Sequence, residues 1–431
     1  MKTYFFCFPR FLRAESLAVA ILALLCPSSN AQELSPPKMD QVTGVQGSID
    51  VDDLQANGVN ESIKSENTSE GTERSGLQWG PLDVHLNAET SVVYNDNIYI
   101  QSAHKTSDLI WTLSPSLAIG AGDYLQKEES WLAIDYSPSF ILFTNHGGND
   151  AVDQDGRLNF EWRPASWTFG LKQGYRQDSG PIIEAGGRVN RSIYDTDLYI
   201  KYDLSSKTSF ELDADQSIND YDQPLFSYNV WTVAGWMDYW ITPKVKLGVG
   251  ATGGFLDITQ NPNQTYQQGL VRAEYDITEN VAIRGSAGGE SREFQGGQKS
   301  RINGVFSLGG TYQPWVNTTL LFDSYRRDEN SLVAAGENYT VTGLSAGICQ
   351  VVADKYTLSL TGGFDHSDYY ATAQGVNANS PYNYFFVRSG IDCQMTSQFT
   401  VGLFYQYQAN QSSGANSFNN NLTGLNVAYH F

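Results

Sequence analysis

The chain has 431 residues, with 27 Lys and Arg against 47 Asp and Glu and a formal net charge of −20. Acidity of that size disfavours any partner held through its phosphates. No basic stripe or Arg/Lys-rich helix offers a local exception, so nucleic acid is not an expected partner. Charged residues are only 17% of the chain and aromatics 13%, yet the mean hydropathy is negative. That combination excludes a bundle of apolar membrane helices and suits a barrel, in which only alternate side chains meet lipid.

Residues 1–31 read as a secretory signal peptide. Lys2, Arg10 and Arg13 make a positive start, Leu17 to Cys26 is an apolar run, and Ser29-Asn30-Ala31 places small residues where a protease would cut, after Ala31. The run is too short for a membrane anchor, and Leu25 is bulky for a lipoprotein site at Cys26. Residues 32–80 are a different material, rich in Ser, Gln, Asn, Asp, Glu and Gly, with no aromatic before Trp79. They are expected to be a disordered periplasmic leader, with entry into the lumen as a plug as the alternative.

From Leu82 onward no helical period is found. Runs with period-2 alternation occur at 82–94, 107–120, 129–144, 156–164, 166–177, 191–203, 207–217, 225–239 and 244–258. They continue at 265–277, 280–293, 300–313, 317–328, 338–351, 356–369, 382–395, 398–409 and 418–431, which makes 18. In the second, Leu109, Trp111, Leu113, Leu117 and Ile119 oppose Asp108, Thr112, Ser114 and Ser116; in the seventeenth, Phe399, Val401, Leu403, Tyr405 and Tyr407 oppose Thr400, Gly402, Gln406 and Gln408. The run 225–239 alternates poorly, and its register is not assigned. Short turns such as Arg163-Pro164-Ala165 and Leu204-Ser205-Ser206 alternate with longer polar loops such as 145–155, 178–190 and 370–381. The pattern predicts an all-β fold over 82–431: a transmembrane antiparallel up-and-down β-barrel of about 18 strands, with short periplasmic turns and long extracellular loops. Outer-membrane lipid is the partner this implies. No loop is long enough to predict an inward-folding constriction. Aromatics at run ends, such as Trp162 and Trp167, Trp236 and Tyr239, Tyr312 and Trp315, and Tyr369 and Tyr370, predict girdles at the two interfaces.

The last run places Leu425, Val427, Tyr429 and Phe431 on one face, with Gly424, Asn426, Ala428 and His430 on the other. A terminal strand of this kind closes a barrel by pairing with the first. It resembles the carboxy-terminal strand by which the outer-membrane assembly machinery recognises its clients, which makes that machinery a second expected partner.

The opening, Ser91-Val92-Val93-Tyr94-Asn95-Asp96-Asn97-Ile98-Tyr99 followed by Ser107-Asp108-Leu109-Ile110-Trp111-Thr112-Leu113-Ser114-Pro115-Ser116-Leu117, resembles that of the outer-membrane family called β-barrel porin 2. The likeness lies in the Asp-Asn after the first strand and the Asp and Pro of the second. It is sharpest over about 84–120 and continues as barrel periodicity to Phe431. It implies a barrel that acts as a porin or stands beside exopolysaccharide export, and it carries no catalytic residues.

By parity the lumen receives the acids Glu89, Asp135, Glu161, Asp195, Asp197, Glu211, Asp213, Asp215, Glu274, Asp323 and Asp392. It also receives the bases Arg163, Lys172, Arg176, Lys201, Arg272, Arg284, Arg301, Arg327 and Arg388. The mixture suits neutral polar solutes, and the excess of acid favours cations modestly. Inward Tyr199, Tyr325 and Tyr384 are placed to stack on sugar rings. No enzyme is expected: His366-Ser367-Asp368 is contiguous, so within a strand its His and Ser point to opposite faces. No cofactor or metal is expected, and Asn149-Asp150 with Asp153-Gln154-Asp155-Gly156 reads as a solvated loop rather than a Ca²⁺ loop. Cys349 and Cys393 are expected as free thiols. Three readings remain open: a channel for small polar solutes, a conduit for a polysaccharide, and a structural or adhesive barrel with a filled lumen.

Overall fold

The computed structural model describes residues 77–122, 127, 129–278, 280–295, 297–412 and 416–430. The expected signal peptide, residues 32–76 of the leader and Phe431 lie outside the described residues.

Among the described residues eighteen long strands form one antiparallel sheet closed on itself. The first six are β1 (Leu82–Asn95), β2 (Asp108–Gly122), β3 (Trp131–Phe143), β4 (Ala151–Trp162), β5 (Trp167–Asp178) and β6 (Arg191–Asp203). Next come β7 (Thr208–Tyr221), β8 (Tyr228–Thr242), β9 (Val245–Ile258), β10 (Gln264–Thr278), β11 (Val281–Phe294) and β12 (Arg301–Trp315). The last are β13 (Thr318–Asn330), β14 (Glu337–Val352), β15 (Tyr356–Ala371), β16 (Tyr382–Gln394), β17 (Phe399–Ser412) and β18 (Phe418–His430). Each pairs with its neighbours in chain order, and β18 closes on β1 from Asn87↔His430 to Asn95↔Leu422. A closed sheet has no free edge, the condition for crossing a membrane with strands.

All eighteen expected runs are present. The largest boundary difference is at β4, which begins at Ala151 rather than 156. Asp153-Gln154-Asp155 reads as a loop in sequence, but it pairs with Ser139, Pro138 and Ser137, in that order, on β3. Three further residues of the expected leader, Leu77–Trp79, form a short strand against Leu82–Val84. Facing prolines interrupt one ladder. Pro115 and Pro138 have no N–H to give, and the β2–β3 pairing skips from Leu113↔Phe140 to Leu117↔Tyr136. The hydroxyls of Ser114 and Ser139 bridge the gap at 2.7 Å.

The registers sort the side chains into two faces. Leu113, Leu142, Leu198, Leu212, Val233, Val249, Val271, Leu344, Leu360, Leu403 and Leu425 all lie on the outside and all are exposed. An apolar belt of that extent is not a water-facing surface; it is what hydrocarbon solvates. Trp162, Trp167, Tyr239, Tyr312, Trp315, Tyr356 and Tyr429 are exposed at the short-turn ends of their strands, as a girdle at one rim. Three of the aromatics expected in the girdles are elsewhere. Trp236 points inward under the Arg272 guanidinium, 4.3 Å from its ring centroid. Tyr369 faces the lumen, and Tyr370 is buried. Cys349 faces inward and Cys393 outward, so the two thiols are on opposite sides of the wall.

Candidate functional site

The interior of the barrel is the site. Its wall is built by the second face of each strand, and the pairings place there the twenty charged residues named above, with Arg163 just past β4 in a turn. They gather in small groups around the wall rather than at one point.

On β4–β6, Glu161 is ion-paired with Arg163 and accepts the Tyr199 hydroxyl. Lys172 faces Asp197 at 3.2 Å. Lys201 turns to Asp203 at 3.4 Å, and Asp195 accepts from Ser217 Oγ at 2.6 Å. The Tyr199 ring lies directly over Gly170, where a β-carbon would overlap it; the glycine lets the ring lie flat along the wall. Further round, Arg272 reaches Glu211 at 3.1 Å and is also ion-paired with Asp238. Glu274 takes Lys246 at 2.6 Å and stands 3.9 Å from Arg284. Asp213 and Asp215 sit beside Glu211 and Asp197 and hold no ion pair among the described residues. On the remaining strands Arg388 stacks on Phe404 at 4.2 Å and faces Asp392. Arg301 stacks on Tyr370 at 3.9 Å. Asp135, Glu89 and Asp323 lie on the inner faces of β3, β1 and β13.

The constriction departs from expectation, because a loop does fold inward. Residues 179–190 carry a small hairpin in which Pro181–Ile182 pairs with Gly187–Arg188. Its tip is apolar, and it is buried against side chains that point into the lumen. Ile183 packs on Ile100, Tyr382, Tyr384 and Phe418. Ile182 packs on Tyr221 and on Leu332 of the loop 331–336. Gly186 closes the tip with φ +65°, a conformation that a β-carbon would strain. Glu184, which follows the two isoleucines, is only 4% exposed. Its carboxylate accepts from Ser331 Oγ at 2.5 Å and from Leu332 N–H at 3.0 Å. Burial pushes this carboxyl up to about 7, against the donors that favour its charge. Arg188 stacks on Phe143 at 4.8 Å, and burial lowers its guanidinium from the usual arginine value. The loop is thus tied across the bore, not hung over its rim.

Beside the loop lies a cavity of about 210 Å³. Tyr221, Tyr228, Tyr325, Tyr339, Tyr382 and Tyr384 wall it, with Arg176, Arg191, Arg327, Glu329 and Asp365. Its charges are matched: Asp178 takes Arg191 at 2.9 Å and Arg176 at 3.2 Å, and Glu329 takes Arg327 at 2.6 Å. Asp365 accepts the Tyr325 hydroxyl at 2.9 Å. Of the three tyrosines expected to meet solute, Tyr325 and Tyr384 line this cavity, and Tyr199 does not. Sequence reading missed Asp238, Lys246, Asp178, Arg191, Glu329, Asp365 and Glu184. The first six are readable from strand parity once the registers are known. Nothing local marks Glu184.

No family model and no curated protein matches the sequence. Among solved structures, Pseudomonas aeruginosa OccK2 (OpdF) is similar over 81% of this chain and 98% of its own, at 13% identity and a TM-score of 0.46. The outer membrane protein OpdK of the same organism gives 11% identity over 81% and 98%, with a TM-score of 0.43. The ferric citrate transporter FecA gives 12% over 78% of this chain and 61% of its own, with a TM-score of 0.43. The barrel itself stands on the pairing of its own strands: among the described residues the eighteen long strands make an all-β, closed antiparallel barrel with an apolar outer face.

Proposed function

We propose that this chain is an outer-membrane channel for passive diffusion of small polar solutes. The observation that carries the reading is the cavity beside loop 179–190: a polar, tyrosine-walled space inside a barrel whose outside is apolar. Its arginines are each matched by a carboxylate, so neutral solutes are favoured over ions of either sign. The same reading includes export on the signal peptide 1–31, cleavage after Ala31, insertion by the outer-membrane assembly machinery, and kinship with the β-barrel porin 2 family. Conduction of a polysaccharide would require loop 179–190 to leave the bore. A strain lacking the protein that still secretes its polymer normally would set that alternative aside.

The test is single-channel recording in planar bilayers, in salt with graded concentrations of neutral sugars. Small, stepwise currents that small sugars reduce reversibly are expected. Insertion without any current steps would overturn the channel reading.

A further inference from the structure

One ladder of the barrel is unzipped over its loop-side third. Between β12 and β13, pairing runs from Trp315↔Thr318, through a register shift, and from Tyr312↔Leu320 up to Phe306↔Arg326, where it stops. Yet β12 stays paired to β11 as far as Arg292↔Arg301, and β13 stays paired to β14 as far as Asn330↔Asn338. Residues 301–305 and 327–330 are therefore extended strand, with no strand partner on the sides that would face each other. Continued upward, the existing register places Val305 opposite Arg327, Gly304 opposite Asp328, Asn303 opposite Glu329 and Ile302 opposite Asn330.

The two edges have slid past each other. Asp328, Asn338, Thr340 and Tyr370 have the parity of the outer face, yet all are buried. They are covered by side chains from the inner face of β10–β12. Gln264 and Asn338 exchange amide hydrogen bonds at 3.0 and 2.7 Å. Asn303 donates to Asp328 Oδ1 at 2.8 Å, Arg292 donates to the Asp328 carbonyl at 3.4 Å, and Arg301 stacks on Tyr370. The loop-side ends of β13–β15 thus lie inside the wall formed by β10–β12. Their lumenal side carries Tyr325, Arg327 and Tyr339 into the cavity described above. Beyond them Leu332 reaches the far loop, where its carbonyl accepts from Phe226 N–H at 2.9 Å.

We propose that the loop-side ends of β13–β15 are a hinged panel of the wall, and that the lumen opens when the panel swings outward and zips onto β12 in the register already set below it. The layer between panel and wall is made mostly of amides, a carboxylate and guanidinium groups, with one aromatic contact, Phe294 edge-on to Tyr370 at 6.3 Å. Water can replace each of those hydrogen bonds, so the apolar surface that parting the layer exposes is confined to the Phe294–Tyr370 contact. Zipping supplies strand hydrogen bonds to backbone groups that lack strand partners in the closed form. The hinge is the last paired step, Phe306↔Arg326. The functional consequence rests on the channel reading; the motion does not.

The experiment uses two cysteine pairs in the full-length protein in lipid vesicles, with Cys349 and Cys393 first replaced by Ser. Gln264→Cys with Asn338→Cys lies across the closed layer. Ile302→Cys with Asn330→Cys becomes directly opposed only in the zipped form, at the spacing a disulfide spans. Under catalysed oxidation the second pair is expected to cross-link, read as a mobility shift that reductant reverses. Prior oxidation of the first pair, in a protein carrying both, is expected to prevent this. Absence of the 302–330 cross-link while the 264–338 cross-link forms would overturn the panel. So would a 302–330 yield unaffected by locking 264 to 338. Currents recorded in parallel are expected to fall several-fold when 264–338 is oxidised. A protein that cross-links as described but never conducts would retain the panel and reject the channel.

Discussion

Excising residues 181–188 raises single-channel conductance several-fold and weakens block by small sugars. The excision is conservative for the wall, because Val189 N–H already donates to the Gly180 carbonyl at 3.0 Å. The two ends of the hairpin therefore meet without it. What is removed is the part that fills the bore: Ile182 and Ile183, both essentially unexposed, and Glu184, which ties the loop to Ser331 and Leu332. Burying two isoleucines contributes about 1.5–3 kcal/mol each, which favours the loop in the bore. The barrel does not depend on it, since none of the eighteen ladders includes residues 181–188. Conductance unchanged by the excision, in protein that retains its β signal by circular dichroism, would show that the loop does not limit flow.

The second large effect is a rise in conductance between pH 4.5 and 7. Glu184 has an ordinary carboxyl value of 4.5 when solvated and is pushed up to about 7 in the docked loop. Burial dominates that shift. Ser331, Leu332 and Tyr369 hydrogen-bond the group, and Glu337 repels its charge. A carboxyl whose value is raised by docking contributes its full stabilisation to the docked loop below about pH 4.5. That contribution is lost as pH rises to about 7 and then stays level. The whole swing is on the order of 3 kcal/mol. Wild-type current is therefore expected to be smallest in acid and to increase toward neutrality. In Glu184→Gln the amide oxygen takes the Leu332 N–H and the amide NH2 faces the Ser331 hydroxyl oxygen, with no charge to bury, so the current is expected to stay low and flat with pH. A Gln variant that keeps the wild-type pH step would assign the titration to another group.

Most of the wall was legible because its physics is local. A strand with lipid on one side and water on the other must alternate, and Phe210 and Leu212 against Glu211, Asp213 and Asp215 announce this without knowledge of any neighbour. β8 shows where that fails. Trp231, Val233, Met237 and Tyr239 face out, but Val230, Ala234 and Trp236 face in. Both faces are apolar, so no parity shows and inward Asp238 is missed. Trp236 faces inward because Gly250 lies directly under its ring and Arg272 covers it, facts that belong to β9 and β10.

The constriction was illegible for a different reason. Ile182 and Ile183 leave water only because Ile100, Leu332, Tyr382 and Phe418 come to meet them, and those residues are remote in sequence. Loop length alone gives no sign of it. The overlapping panel did leave a mark that parity reading passes over. Asp328, Asn338 and Thr340 are polar residues at positions that should face outward near the strand ends. Polar residues clustered on the wrong face of two neighbouring strands signal that something other than lipid covers that face.

The central claim is that successive side chains of one strand meet hydrocarbon and water in turn, and a cysteine scan of β7 over residues 210–215 tests it most directly. The scan is made in vesicles with a charged, membrane-impermeant thiol reagent on the Cys349→Ser, Cys393→Ser background. Reaction at 211, 213 and 215 with protection at 210, 212 and 214 is the predicted result. Equal reaction at all six positions, or reaction at 210, 212 and 214, would contradict a membrane-spanning barrel with a wet lumen.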